Sequence, residues 1–464
     1  MKEDAEDAEP GSREDETLAR HKRMAEVLNG LRRIGWPDWK DMSIYESTCL
    51  TPDGQLVALW AADVLQRALG DDFLRRVEDW VARMRSTGDT SLPPDAHPIL
   101  SLGLWPANDV PWVYANLISL AAHIHLFSRD RSQNRVGRVL KILRQNLEPI
   151  NWASALLQLE IAGLGLRADW DILFEPALGN GRSADVSLTN GSARLLVETT
   201  SMRRSVAERR ALAFFDRLSW QLHLLEWQHD VRIAGSLRGA SPEHAEGLAQ
   251  WLRELGEAAR AVAQDGRSRQ VSGPGEVLVT VFRPTEATVG EPWGVEGDPV
   301  EAPLLERLIA LLHDKNTQAE GSATPVWVRL GESAGLWEMF RFQGMTLASA
   351  LEFLMNFLQL VLAAFPNLAG VLFSPGVSWA GYAPPDALVE RVERSGGIAL
   401  RCPIPGHRFR ETIIVPRAGG PGTDTQMFAD WYAQEDTWLD WALAQLGYSP
   451  FNDLVHEPPG QHNG

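Results

Sequence analysis

Three carboxylates between residues 152 and 210 have the residue type and the spacing needed to gather a divalent cation. Asp185 and Glu198 each lie in a short apolar run that is typical of a β-strand, and the turn-forming residues 189–192 join the two runs. An antiparallel hairpin would bring the two acids together. Carboxylate oxygens are the ligands that hard divalent cations prefer, so the sequence predicts a metal site at Asp185 and Glu198.

The third carboxylate, Glu160, falls on the apolar face of a predicted helix. Within residues 151–165, apolar side chains recur at helical spacing, and Glu160 shares their face. A carboxylate in such a place is costly unless it is paired, protonated or bound to a cation, and the sequence leaves these three explanations open. In the strand that contains Glu198, the two-residue period puts Thr200 on the same face as Glu198.

The order of these parts resembles the restriction-endonuclease-like, or PD-(D/E)xK, superfamily of phosphodiesterases over about residues 150–230. That family has a Glu-bearing helix, a Gly-rich hairpin, a strand with Asp, a strand with Glu-x-Lys and then a further helix. The resemblance implies an α/β fold with a mixed β-sheet core flanked by helices. It also implies that Asp185 and Glu198 bind Mg²⁺ or Mn²⁺, that Glu160 assists, and that the substrate is DNA or RNA.

The chain departs from the family pattern at Thr200, where the family has a lysine that orients or activates the attacking water. A threonine hydroxyl carries no charge to stabilise a developing phosphorane or to favour hydroxide, so either another cation serves or catalysis is lost. Lys315 is one candidate, because residues 313–318 resemble a Lys-x-x-Gln element that follows the core in some relatives. The other candidates, which would also contact a nucleic-acid backbone, are Arg203, Arg204, Arg209 and Arg210.

Two functions of different classes remain open. The first is a metal-dependent nucleic-acid phosphodiesterase, and the second is a catalytically inactive nuclease-fold protein that acts as a binding or assembly module. The formal net charge of −17 favours the second, because sequence-independent binding to nucleic acid depends on neutralising phosphates with basic side chains. Part of that charge is local, since residues 1–16 contain eight acids and residues 1–20 are predicted to form a disordered acidic tail.

Other chemistries have weaker support in the sequence. Residues 376–381 contain one residue too many for a Gly-x-Ser-x-Gly nucleophile elbow, and His223, Glu226 and His229 lack the His-Glu-x-x-His spacing of zinc hydrolases. The two cysteines lie far apart and indicate neither a zinc site nor a disulfide framework. The absence of a long apolar run and of a signal peptide predicts no membrane segment and a cytoplasmic location. The protein partner and the oligomeric state, including a homo-oligomer, stay open.

The pattern of apolar residues divides the chain into four parts. After the tail, residues 21–145 are predicted to form an N-terminal helical domain, and residues 146–418 a nuclease-like α/β domain built on one mixed sheet. Residues 419–464 are predicted to form one C-terminal helix, at 424–447, and a tail. Residues 264–275 are predicted to form a flexible loop, because Gly and Pro cluster there.

Overall fold

The structure is a computed structural model, and it describes most of the chain between residues 47 and 456. The described residues are 47–77, 79, 111–129, 136–145, 149–178, 181–202, 214, 218, 221–222, 224–226, 228–240, 245–283, 295–296, 304–332, 336, 340, 345–374, 377–382, 388–394, 396–404, 408–419, 422–434 and 438–456. The predicted acidic tail at residues 1–20 lies outside them.

Local signals explain the boundaries of the first described helix. Its N-cap is Thr51, whose side chain accepts a hydrogen bond from the backbone N–H of Gly54, and Pro52 occupies the first turn, where no intrahelical N–H partner is needed. Gly70, with a φ of 81°, follows the last helical residue in a conformation that glycine adopts without strain. The helices are α1 (Pro52–Leu69), α2 (Pro111–Arg129), α3 (Gly137–Gln145), α4 (Pro149–Arg167), α5 (Ala245–Asp265), α6 (Leu304–Gln318), α7 (Leu347–Ala363), α8 (Gly422–Ala433) and α9 (Trp438–Gln445).

The strands form two sheets within the described residues. The strands are β1 (Asp171–Phe174), β2 (Val186–Asn190), β3 (Ala193–Met202), β4 (Arg232–Ser236), β5 (Arg269–Ser272), β6 (Leu278–Phe282), β7 (Val295–Glu296), β8 (Val326–Glu332), β9 (Leu368–Ser374), β10 (Val377–Tyr382), β11 (Glu390–Arg394), β12 (Gly397–Ile404) and β13 (Arg408–Pro416). The larger sheet has nine strands in the order β1-β2-β3-β8-β9-β13-β12-β11, with β10 beside β13. It is mixed, because β3, β8 and β9 run parallel while β1, β2 and β3 form an antiparallel meander.

Helices cover both faces of the larger sheet. On one face, Val197, Trp327 and Leu372 share a hydrophobic core with α1 to α4, α8 and α9. On the other face, Val328 and Leu330 pack in a second core with α6 and α7. The prediction of an α/β fold with a large mixed sheet flanked by helices is confirmed.

The predicted single sheet is wrong, because β4, β5, β6 and β7 form a separate four-stranded sheet. β5 lies inside residues 264–275, the segment predicted to be a flexible loop, and pairs antiparallel with β6. Its side chains are mostly exposed, so it lacks the apolar alternation through which a sequence reveals a strand. Trp251 and Leu255 of α5 cover this sheet by packing in one core with Val279 of β6.

Two predicted boundaries differ from the observed packing. The helices α1, α2 and α3 of the predicted N-terminal helical domain belong to the same buried cluster as α4 and β3, so a boundary near residue 145 does not separate two cores in the described part of the chain. The single C-terminal helix predicted at 424–447 is wrong, because the chain forms α8 and α9 there. Tyr432 and Trp438 are both buried, and on one straight helix they would lie about 120° apart, so two helices let both side chains reach the core.

Candidate functional site

The hairpin of β2 and β3 brings Asp185 and Glu198 together. Val186 pairs with Val197, so Asp185, which directly precedes β2, lies opposite Glu198. Oδ2 of Asp185 accepts a hydrogen bond of 2.6 Å from the backbone N–H of Thr199 and one of 2.9 Å from the Thr199 hydroxyl. The carboxylate of Asp185 thus continues the hydrogen bonding of β3 past the first residue of β2. The backbone N–H and the hydroxyl of Thr199 hold it in place.

Lys315 approaches Glu198 from the helix that covers this face of the sheet. Its Nζ atom donates a hydrogen bond of 2.7 Å to Oε2 of Glu198. The two side chains are 14 % and 4 % exposed, so the ion pair is largely shielded from bulk water. Lys315 lies in the last turn of α6, where a cation also interacts favourably with the helix dipole. The structure therefore brings Asp185, Glu198 and Lys315 together.

Burial and the neighbouring carboxylate both disfavour the ionised form of Glu198. Burial, and after it the charge of Asp185, raise the pKa of Glu198 from 4.5 to about 7, although Lys315 acts to lower it. Neighbouring carboxylates resist ionising together because their charges repel. A divalent cation at this place would relieve the repulsion, so the electrostatics of the acid pair favour cation binding.

Asp185 and Glu198 fit Mg²⁺ or Mn²⁺ in the number and chemistry of their donor atoms. Mg²⁺ is commonly bound through one or two carboxylates, with waters and substrate phosphates at the remaining positions. No group of three or more His, Cys, Asp or Glu side chains among the described residues is arranged to hold a metal ion. The ligands that the described chain offers here are therefore the two carboxylates. Thr199 bonds Oδ2 of Asp185 and Lys315 bonds Oε2 of Glu198, and neither of them bonds Oδ1 of Asp185 or Oε1 of Glu198.

Thr200 lies where the two-residue period of β3 predicts it, on the face of Glu198. Glu198 is level with Val328 of β8, and Thr200 is level with Leu330, two residues further along both strands. The positive charge beside the acids comes from Lys315, which lies 117 residues away from Glu198 in the sequence. Lys315 is the candidate cation that lies within the described residues, and it lies at the acid pair.

Glu160 lies elsewhere, in a buried network on α4. Nε and Nη2 of Arg329 both lie 2.8 Å from its Oε1 atom, and the Tyr432 hydroxyl donates to the same oxygen at 2.9 Å. Nη1 of Arg410 donates to Oε2 at 3.0 Å. The network joins α4 to β8, β13 and α8, so its evident contribution is to the packing of helices on the sheet.

The assisting role that the resemblance implies for Glu160 is corrected by this geometry. Arg329 is level with Thr199 in the sheet, and side chains alternate along a strand, so Arg329 and Glu160 lie on the face opposite to Glu198. Burial acts to raise the pKa of Glu160, but Arg329 and Arg410 outweigh it and hold the pKa below 4.5. Pairing with arginine, rather than protonation or a bound cation, explains the acid on the apolar helix face.

Sequence reasoning missed Thr199, because a threonine in a strand is also what ordinary β-propensity favours. For Lys315 an additional signal is present, since the chain contains only five lysines: Lys2, Lys22, Lys40, Lys141 and Lys315. Because lysines are so few, Lys315 stands out in the sequence as a cation close to the end of a predicted helix. The arginines predicted to bind nucleic acid lie outside the described residues: Arg203, Arg204, Arg209 and Arg210.

No family model, no curated protein and no solved structure matches the chain. None of the described helices has both the length and the apolar character that crossing a bilayer requires. Asp185, Glu198 and Lys315 are therefore the observations on which a functional interpretation can be built.

Proposed function

We propose that the protein is a metal-dependent nucleic-acid phosphodiesterase of the restriction-endonuclease-like type, in which Lys315 replaces the motif lysine that is missing at Thr200. The observation that supports this most directly is the hydrogen bond of 2.7 Å between Lys315 Nζ and Glu198 Oε2, beside Asp185. It supplies the acid pair with the positive charge that Thr200 of β3 does not provide. The ammonium group reaches the acids from a helix instead of from the strand.

The order of the elements supports a restriction-endonuclease-like core. α4 precedes the meander of β1, β2 and β3, with Asp185 at the start of β2 and Glu198 in β3, as in the family pattern that the sequence resembles. The connection between β1 and β2 contains Gly179 and Gly181, which correspond to the Gly-rich hairpin of that pattern. β8 extends the sheet beside β3, and α4 and α6 pack on opposite faces.

Each side chain of the site has one task in this proposal. Asp185 and Glu198 hold the metal ion, which when bound lowers the pKa of a coordinated water and polarises the phosphate. Thr199 fixes Oδ2 of Asp185 with two hydrogen bonds, so the direction of Oδ1 is fixed as well. Lys315 places an ammonium where it orients the attacking water and opposes the negative charge that develops on the phosphate.

One observation favours the second function, a catalytically inactive module for binding or assembly. Lys315 is already paired with Glu198, so part of the acid pair is neutralised without a metal ion. An ion pair of this kind has a use without catalysis, because it fastens α6 to the sheet. The net charge of −17 points in the same direction, because it opposes association with nucleic acid.

Cleavage of DNA and RNA by the purified protein with Mg²⁺ or Mn²⁺ tests the two functions against each other. Asp185→Asn is expected to abolish cleavage and to leave thermal unfolding nearly unchanged, because the amide oxygen can still accept from the backbone N–H and the hydroxyl of Thr199, whereas the negative charge that would bind the metal is lost. Lys315→Met is expected to lower kcat by about 10²–10³-fold, the usual loss on removing one group that stabilises charge in the transition state. Absence of cleavage of either polymer by the wild-type protein would favour the inactive module.

The proposal that Lys315 replaces the motif lysine can also be tested by moving the lysine back to position 200. Thr200→Lys in the Lys315→Met background puts an ammonium on the face of Glu198, at the motif position, and is expected to restore part of kcat. Ser192→Lys in the same background is the matched control, because it adds the same charge at an exposed turn. Equal activity of the two double variants would contradict the role given to Lys315.

A further inference from the structure

The proposed function requires that the ammonium group of Lys315, in the last turn of α6, keeps a fixed position. The last carbonyl groups of a helix have no intrahelical partner, and the final turn tends to fray. Lys315 is followed by only three further helical residues, since α6 ends at Gln318. A side chain that must stay 2.7 Å from Glu198 therefore needs its turn to be held from outside the helix.

Two asparagines fasten this turn to the sheet through two hydrogen bonds, both donated by Asn367 and accepted by Asn316. The backbone N–H of Asn367 donates to Oδ1 of Asn316 at 3.0 Å, and Nδ2 of Asn367 donates to the backbone oxygen of Asn316 at 3.2 Å. Asn316 is the residue next to Lys315, and Asn367 directly precedes β9. The backbone oxygen of Asn367 accepts from Val326 N, the first residue of β8, at 3.0 Å. The turn is thereby tied to the start of two neighbouring parallel strands.

Further contacts hold the same turn on its other side. Nη1 of Arg182 donates to the backbone oxygen of Thr317 at 2.6 Å, which links α6 to the segment just before Asp185. Ala319 is buried beside Leu196 of β3. The backbone on the carboxyl side of Lys315 is thus connected to the loop that presents one acid and to the strand that contains the other.

From this arrangement we propose that Asn367 is a positioning residue for Lys315: by bonding both the side chain and the backbone of Asn316, it holds the last turn of α6 so that Nζ of Lys315 reaches Glu198. This inference rests on the proposed function for its effect on catalysis, but the positioning itself is a property of the fold. An ordinary helix cap would satisfy the backbone oxygen of Asn316 without keeping Lys315 in place. The two roles therefore predict different behaviour of Lys315 when Asn367 is replaced.

Acetylation of lysines in the full-length protein, quantified for each lysine by mass spectrometry, separates the two roles. In Asn367→Ala, the bond from Nδ2 to the backbone oxygen of Asn316 is lost while the bond from the backbone N–H remains, so the acetylation rate of Lys315 is expected to rise by on the order of tenfold, the size expected for the loss of one hydrogen bond. Lys141, which is exposed on α3, is the internal control and is expected to react equally in both proteins. Asn356→Ala, at an exposed asparagine on α7, is the matched control variant. An unchanged rate at Lys315 in Asn367→Ala would overturn the proposal, whatever the change in stability.

A second pair of variants keeps the inference testable if Asn367→Ala does not fold. Asn316→Asp retains the oxygen that accepts from the Asn367 backbone and is expected to protect Lys315 as the wild type does, whereas Asn316→Ala is expected to expose it. Equal acetylation of Lys315 in these two variants would again overturn the proposal.

Kinetics separate a failure of positioning from a failure of the proposed function. With an active wild type, Asn367→Ala is expected to lower kcat about tenfold with little change in KM, and to cause no further loss in the Lys315→Met background, because the two residues act as one unit. Additive losses would contradict the inference. If the wild type cleaves neither polymer, the proposed function fails, and the acetylation rates still decide whether Asn367 positions Lys315.

Discussion

Replacing Glu160 by alanine is expected to destabilise the protein by about 3–5 kcal/mol, because it leaves a buried guanidinium without its counter-ion. Arg329 is 1 % exposed, and both Nε and Nη2 lose their acceptor, whereas Nη1 keeps the backbone oxygen of Leu330 at 2.8 Å. Arg410 is 28 % exposed, so it can turn towards water and adds at most about 1 kcal/mol. The cost therefore comes mainly from Arg329.

The pH dependence of this loss has a definite sign. Although burial acts to raise it, the pKa of Glu160 is held below 4.5 by Arg329 and Arg410 in the folded protein. A carboxyl group whose pKa is lowered by folding contributes stability that is fully present above its unfolded pKa and is lost as the pH falls through its folded pKa. The difference in unfolding free energy between wild type and Glu160→Ala is thus expected to be full at about pH 7 and to shrink below about pH 4.

Urea unfolding followed by tryptophan fluorescence at both pH values measures this difference. The control is Glu352→Ala, which removes a surface ion pair with Arg394, with side chains 49 % and 59 % exposed, and should change the free energy of unfolding by less than about 1 kcal/mol. If Glu160→Ala lost cleavage but less than about 1 kcal/mol of stability at neutral pH, Glu160 would belong to the reacting site and the reasoning would be refuted.

Three further predictions concern the site and the sheet beneath it. Thr199→Val removes the hydroxyl that donates to Asp185, so calorimetry should show Mg²⁺ binding weakened by about 3–10-fold, the effect of roughly one hydrogen bond. Burial raises the pKa of Glu198 to about 7 in the folded protein. The contribution of Glu198 to the free energy of unfolding is therefore largest below its unfolded pKa, and on the order of 3 kcal/mol is lost as the pH rises towards 7. Urea unfolding of Glu198→Gln should lack this decline. Gly370→Ala should cost roughly 1–3 kcal/mol in thermal unfolding, because its Cβ would lie 2.4 Å from the buried ring of Trp327.

Each of these predictions has a result that contradicts it. Unchanged Mg²⁺ affinity in Thr199→Val would mean that the hydroxyl does not hold the acid. The same decline in stability between about pH 5 and pH 7 in wild type and Glu198→Gln would assign it to other groups. Gly137→Ala, at a helical position where a Cβ meets nothing within 4 Å, is the control for Gly370→Ala, and equal melting temperatures of the two would contradict the packing argument.

The hairpin that presents the two acids was predictable because its signals are local. A short apolar run marks each strand, and the two residues between the paired Asn190 and Ala193, Gly191 and Ser192, suit a tight hairpin turn, in which Gly191 has a φ of 58°. The helix of Glu160 was also predictable from a local signal, a long apolar segment without the strict alternation of a strand. Its partners were not, because Arg329 and Arg410 lie 169 and 250 residues away in the chain.

By itself, the sequence determined the type of most described elements and the residues that share a face, because backbone hydrogen bonding and apolar periodicity are properties of short segments. It also determined that position 200 supplies no charge. Only the tertiary structure decided that Lys315 meets Glu198 and that Glu160 is neutralised by arginines on the opposite face. An ion pair depends on a few ångströms, and those are set by how helices distant in the chain pack on the sheet, where burial also decides the pKa of each acid.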